Sequence, residues 1–125
     1  MRVEVRNIQF KKGVLEMCVL SLLEQGDRYG YDIAQAFSGV LDISDGTVYP
    51  ILRRLKEEGY VSSYLTESSG GPPRKYYTMT NHGREFVKVL QSEWEQFQQQ
   101  VNALIRLPTG GRPKNDEGGD RFDQE

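Results

Sequence analysis

Apolar residues recur along this chain with two different periods, and the changes of period mark out its elements. Ile8, Val14, Leu15, Cys18, Val19, Leu22 and Leu23 fall at helical spacing, and Glu24-Gln25-Gly26-Asp27 supplies a stop, which predicts a first helix over residues 8–25. Residues 29–37 predict a short second helix that turns Ile33, Ala34 and Phe37 inward beside either Gly30 or Tyr31 and ends at Ser38-Gly39. A third helix starts at Ser44 or Asp45, either of which can cap exposed N–H groups. It accommodates Pro50 in its early turns, buries Val48, Ile51, Leu52 and Leu55, and stops at Gly59. There the period drops to two. Residues 60–66 read as a strand, 67–73 as a turn and 74–80 as the returning strand, with Tyr77 and Met79 on one face and Arg74, Tyr76 and Thr78 on the other. Met79 is the expected core contact.

The last helical stretch has a stricter repeat. Gly83, Val87, Leu90, Trp94, Phe97, Val101 and Leu104 are spaced alternately four and three apart, the a/d seam of a heptad pattern. A helix over residues 81–107 is about 40 Å long at 1.5 Å per residue, more than a domain of this size covers. A second copy of the chain is therefore expected on the seam, through Val87, Leu90, Trp94, Phe97, Val101 and Leu104. The bland alternative, a seam packed only on its own domain, accounts for Val87 and Leu90 but leaves Trp94, Phe97 and Val101 uncovered.

Three helices followed by a hairpin and a long helix make a mainly α fold with a small β-hairpin: a winged helix-turn-helix over 1–80, a dimerisation helix over 81–107, and a tail over 108–125. The tail is rich in Gly, Pro and charge, with Phe122 its only large apolar residue, and is expected to be disordered and acidic. The 125 residues fit one compact domain. The apolar run at 14–23 is interrupted by Glu16 and Ser21 and has no basic flank followed by a small-residue cleavage site, so no membrane partner is expected and a cytoplasmic location is. The single cysteine, Cys18, rules out an internal disulfide framework and a zinc site of paired cysteines, and its apolar neighbours favour a buried thiol.

A third helix that runs straight into a basic hairpin is the arrangement with which winged helices read DNA, yet the formal net charge is -2. Its distribution matters more than its sum. Between residues 47 and 88, Arg53, Arg54, Lys56, Arg74, Lys75, Arg84 and Lys88 face only Glu57, Glu58, Glu67 and Glu85, whereas acids outnumber bases from Pro108 onward. Opposite the inward face of the third helix lie Gly46, Pro50, Arg53 and Glu57, flanked by Tyr49 and Arg54. Gly46 allows close approach to a phosphate, Thr47 and Tyr49 offer hydroxyls, and Arg53 reaches a guanine or a phosphate. Arg74 and Lys75 stand near the wing tip, beside the turn Ser68-Ser69-Gly70-Gly71-Pro72-Pro73. Paired arginines alone usually mark a solvated face; the adjoining hairpin is what raises their significance.

Catalysis has little to rest on. The only histidine, His82, opens the last helix with no nucleophile to serve, Asp27 and Asp32 are ordinary turn or cap acids, and Gly70-Gly71 lacks the Lys-Ser/Thr of a phosphate loop. No enzyme and no cofactor are expected.

Taken together, Tyr29-Gly30-Tyr31, the run Gly46-Thr47-Val48-Tyr49-Pro50-Ile51-Leu52-Arg53-Arg54-Leu55, Glu58-Gly59, Gly71-Pro72-Pro73-Arg74-Lys75-Tyr76-Tyr77, Thr80 and Gly83 resemble the PadR family of bacterial transcription regulators. The likeness covers residues 8–107. It implies a winged-helix homodimer that represses promoters by binding operator DNA and is released by a small effector. It also implies that Tyr49, Arg53, Arg54, Arg74, Lys75 and Tyr76 belong to or border the reading surface, with Thr47 and Pro50 beside them. The single C-terminal helix is similar to the short branch of the family. In its multidrug-responsive members a tryptophan midway along this helix, with its two-fold mate, lines a pocket for planar aromatic compounds. Trp94 stands in the matching place, with Phe97, Phe10, Val14 and Cys18 as companions in the wall. From the residues alone, a seam tryptophan is more often simple packing. The chain departs from the family at Thr78, where a basic residue is frequent, and in its acidic end. The rival reading is a winged-helix module that binds another protein without sequence-specific DNA binding.

Overall fold

A computed structural model describes residues 2–108 and 110, with side chains from residue 13 onward. The elements follow in the order α1 (Arg2–Glu24), β1 (Arg28–Tyr29), α2 (Gly30–Leu41), α3 (Asp45–Glu57), β2 (Val61–Ser68), β3 (Gly71–Met79) and α4 (Asn81–Ile105). The chain divides into two compact units, residues 1–95 and 96–125, so the boundary falls within α4. Apart from Pro108 and Gly110, the expected acidic tail lies outside the described residues.

The first unit is built around one apolar core in which α1 contributes Leu15, Val19, Leu20 and Leu23, α2 Ile33, Ala34 and Phe37, and α3 Val48, Ile51, Leu52 and Leu55. Val61, Tyr77 and Met79 from the sheet and Val87 from α4 close it. The inward face of α3 is the one its apolar spacing predicts. On α1 the buried stripe is rotated toward Leu20, which is fully buried, while Cys18 and Leu22 are only half-buried at its edge. Helix α1 packs against both α3 and β3.

The predicted hairpin gains a third strand, giving an antiparallel sheet in the order β1-β3-β2. Arg28 and Tyr29 pair with Tyr77 and Tyr76, and β2 pairs with β3 from Val61↔Met79 to Ser68↔Gly71, with a register shift between Thr66 and Ser68. The turn is shorter than predicted: only Ser69 and Gly70 separate the strands, Gly70 takes a φ of +73°, and the Ser68 hydroxyl donates to the Pro72 carbonyl at 2.8 Å. Helix α2 passes through Ser38 and Gly39, expected as its end, and stops at Asp42, whose φ of 57° reverses the chain while Ile43 N–H donates to Phe37 O. Gly30, not Tyr31, is on its inner face. A Cβ there would lie 3.1 Å from Cε1 of Tyr77, so the entry to α2 sits close against β3 and a side chain would require the Tyr77 ring to shift by a few tenths of an ångström.

Thr80 joins the sheet to the last helix. Its N–H donates to Tyr60 O at 3.1 Å, its hydroxyl donates to Gly59 O at 2.8 Å, and it accepts the Gly83 N–H at 3.0 Å, capping α4. Among the described residues, no helix is long and apolar enough to cross a membrane.

Candidate nucleic-acid interface

The start of α3 faces outward with little to block it. Ser44 occupies the cap position, but neither it nor Asp45 makes the side-chain cap bond expected of them; the Thr47 N–H instead reaches the Ser44 carbonyl at 3.0 Å. The first amides of the helix and its positive dipole end are thus presented on an exposed surface that also carries Gly46, Thr47, Tyr49, Pro50 and Arg53. Tyr49 is 39% exposed. Its hydroxyl is pushed above the ordinary range by burial, then by the Asp45 carboxylate and by the nearby Tyr29, Tyr77 and Tyr31. Burial likewise raises Tyr77, against the opposing pull of the Arg53 charge.

Arg54 stands apart from the other predicted reading residues. Its Nε and Nη2 donate to Glu16 Oε2 of α1 at 3.1 and 2.7 Å, so its guanidinium is committed to fastening α3 onto α1. Arg53, one position earlier, is exposed.

On the wing, Arg74 and Lys75 are both exposed, on opposite faces of β3. Beneath Arg74 runs a ladder of tyrosines from all three strands. Tyr76 stacks on Tyr29 at a centroid separation of 5.8 Å and on Tyr64 at 5.9 Å, the Tyr64 hydroxyl donates to Asp27 at 2.6 Å, and Arg74 Cζ lies 5.0 Å over the Tyr29 ring. Hydrogen bonding from Thr78, then from Tyr64, holds the Asp27 carboxyl below its ordinary range, aided by the charge of Arg84. The same bond raises the Tyr64 hydroxyl. Sequence reasoning included Tyr76 but missed Tyr29, Tyr64 and Asp27 as parts of this surface, because the two-residue strand that aligns them has no periodic signal of its own.

The predicted effector wall is only partly assembled. A cavity of about 290 Å³ between α1 and α2 is lined by Cys18, Ser21, Leu22, Gln25, Ala36, Phe37, Val40 and Leu41. Cys18 is its only member from the predicted set. Its thiol is pushed up by burial. Trp94 and Val14 are half-buried elsewhere, Phe97 belongs to the second unit, and Phe10 lies outside the described side chains. Along the seam, Val87 is wholly buried in its own core, which corrects its assignment as a contact for a second copy, and Leu90 packs against the same core. In the second unit Val101 is half-buried, while Phe97 and Leu104 are 47% and 71% exposed. Among the described residues, no group of three His, Cys, Asp or Glu side chains could hold a metal ion.

The model of the PadR-like family of transcriptional regulators matches residues 19–89, which takes in all three strands, α2 and α3. The chain belongs to this family. This PadR-like chain is 36% identical to a PadR-like transcriptional regulator of Bacillus cereus whose structure superposes with a TM-score of 0.70, covering 78% of this chain and 97% of that one. A PadR-like transcription factor of Bacteroides fragilis is 37% identical, with a TM-score of 0.67 over 78% of this chain and 96% of that one. The negative transcriptional regulator PadR of Bacillus subtilis is 32% identical over 76 residues, 58% of this chain but 42% of that protein. The PadR-like fold is thus a winged helix with a three-stranded sheet and a C-terminal helix, and the family is one of transcription regulators, not enzymes.

Proposed function

We propose that the chain is a homodimeric repressor that binds double-stranded operator DNA through α3 and the wing. The observation that carries this reading is that the start of α3, where Ser44 makes no side-chain cap bond, exposes Thr47, Tyr49, Pro50 and Arg53, while β3 exposes Arg74 and Lys75. Amides and hydroxyls at a helix start position phosphates, an arginine one turn further reads a base edge, and wing cations add sequence-independent attraction. Arg54 contributes indirectly, by holding α3 in place through Glu16.

Dimerisation is supported by the part of the seam beyond Val87, where Phe97 and Leu104 are exposed. Two-fold pairing sets two α3 helices in half-sites about one DNA turn, ~34 Å, apart. Repression is supported by the likeness to the negative regulator of Bacillus subtilis. Release by a planar aromatic effector near the dimer axis is supported by the half-buried Trp94 on that seam, and requires the compound to bind two dimer arrangements unequally. Trp94 is the only tryptophan in the chain, so its fluorescence should be quenched by planar aromatic cations. A silent panel rejects the pocket.

The decisive test is the salt dependence of duplex binding. Neutralising Arg74 and Lys75 together, as Arg74→Gln and Lys75→Gln, should lower the slope of log K against log salt by about two units. An unchanged slope sinks the wing assignment, and no salt-sensitive binding at all favours a protein-binding module instead.

A further inference from the structure

We propose that Tyr29 is a positioning residue for DNA binding, holding Arg74 in the orientation in which the wing meets the phosphate backbone. This rests on the reading of the wing as a DNA contact. An arginine on an exposed hairpin arm has a long side chain with many rotamers, and each contact it makes costs the entropy of ordering it. Here the ordering is done beforehand. Arg74 Cζ lies 5.0 Å from the centroid of the Tyr29 ring, within the range of a cation–π contact, and a guanidinium laid flat on a ring still has its edge N–H groups free to donate.

The ring that supports it is itself fixed from several sides. Tyr29 belongs to β1, whose pairing opposite Tyr76 sets its height on the sheet, and Tyr76 stacks on it at an interplanar angle of 27°. The Tyr31 ring, from the first turn of α2, lies 5.8 Å from it at an interplanar angle of 38°. Tyr64 continues the stack beyond Tyr76 and is tethered through its hydroxyl to Asp27, two residues before Tyr29. The ladder therefore closes a loop from the chain before β1, across all three strands and back. A free wing arm is in this way tied to the chain that enters the helix-turn-helix. Lys75, on the opposite face and cross-strand from Leu65, has no such aromatic support among the described residues, so the two wing cations differ in kind.

The test compares Tyr29→Phe with Tyr29→Leu in the wild-type and Arg74→Gln backgrounds, on the full chain with a mixed-sequence duplex in low salt. Thermal melting checks that every variant folds. Tyr29→Leu should weaken binding on the order of fivefold, the scale of an exposed cation–π contact, whereas Tyr29→Phe keeps the ring and should bind as wild type. In the Arg74→Gln background both substitutions should have the same small effect. A DNA-independent readout separates the two layers of the reasoning. The Arg74 side-chain protons should be shifted upfield by the ring in the free wild-type protein and return to ordinary positions in Tyr29→Leu. An unshifted Arg74, or a Tyr29→Leu loss that persists without Arg74, overturns the positioning role. An upfield Arg74 whose replacement leaves duplex binding unchanged instead overturns the assignment of the wing to DNA, and the role of Tyr29 with it.

Discussion

Replacing Gly83 with alanine should break the junction between the sheet and α4. A Cβ at this position would overlap the Tyr60 carbonyl oxygen and come within 2.9 Å of Met79 Cγ. Met79 can yield, because its side chain is flexible. The carbonyl cannot move alone, since it accepts the Thr80 N–H, and the Gly83 N–H in turn donates to the Thr80 hydroxyl. Relief requires the first turn of α4 to lift away from Tyr60. That movement surrenders two hydrogen bonds worth about 1 kcal/mol each and adds an overpacking cost of about 1–3 kcal/mol. The gain in helix propensity from glycine to alanine, up to about 1 kcal/mol, offsets only part. The net loss is about 2–4 kcal/mol, which for a domain of this size lowers Tm by roughly 10–25 °C. Thermal and urea melts at matched protein concentration measure it, because self-association of the kind proposed would make Tm concentration-dependent. A Tm within about 3 °C of wild type would refute the claim that α4 starts in direct backbone contact with the turn after α3.

Gly46 supplies the opposite case. An added Cβ would meet only Ser44 Oγ, at 3.7 Å, so Gly46→Ala should leave stability unchanged or raise it by up to about 1 kcal/mol while weakening duplex binding; a variant that binds as wild type would show that phosphate does not approach there. The Asp27–Tyr64 bond should make the ladder pH-dependent in a defined window. The depressed Asp27 contributes stability above the ordinary carboxylate value of 3.8 and loses it as pH falls through the folded value. The raised Tyr64 contributes below its ordinary 10.0 and loses it as pH rises through the folded value. Melting curves of wild type and Asp27→Asn should therefore differ between those limits and converge beyond both, and a difference that persists in acid would assign the effect to another group.

The elements most legible in the sequence are those whose burial follows from their own periodicity. Val48, Ile51, Leu52 and Leu55 give the inward face of α3, and with it the outward face that carries Tyr49 and Arg53. Met79 and Tyr77 give the buried face of β3 in the same way. What escaped depends on partners distant in sequence. Two residues cannot show a strand period, and Arg28–Tyr29 is a strand only because β3 lies beside it. The end of α2 was hidden because the reversal is made by a left-handed aspartate rather than by Gly39. Arg53 and Arg54 look equivalent on paper; the difference between them is set by Glu16, 38 residues before Arg54 in the chain.

Thr80 gives the last helix a mechanical relationship to the reading helix. One residue fastens the start of α4 to both Gly59 and Tyr60, the turn in which α3 ends. That turn has little slack, since Tyr60 N–H is bonded to Leu55 O at 2.9 Å and Gly59 takes a φ of +84°. The start of α4 is thereby held to the end of α3 through backbone carbonyls, in addition to the apolar contact that Val87 makes in the core.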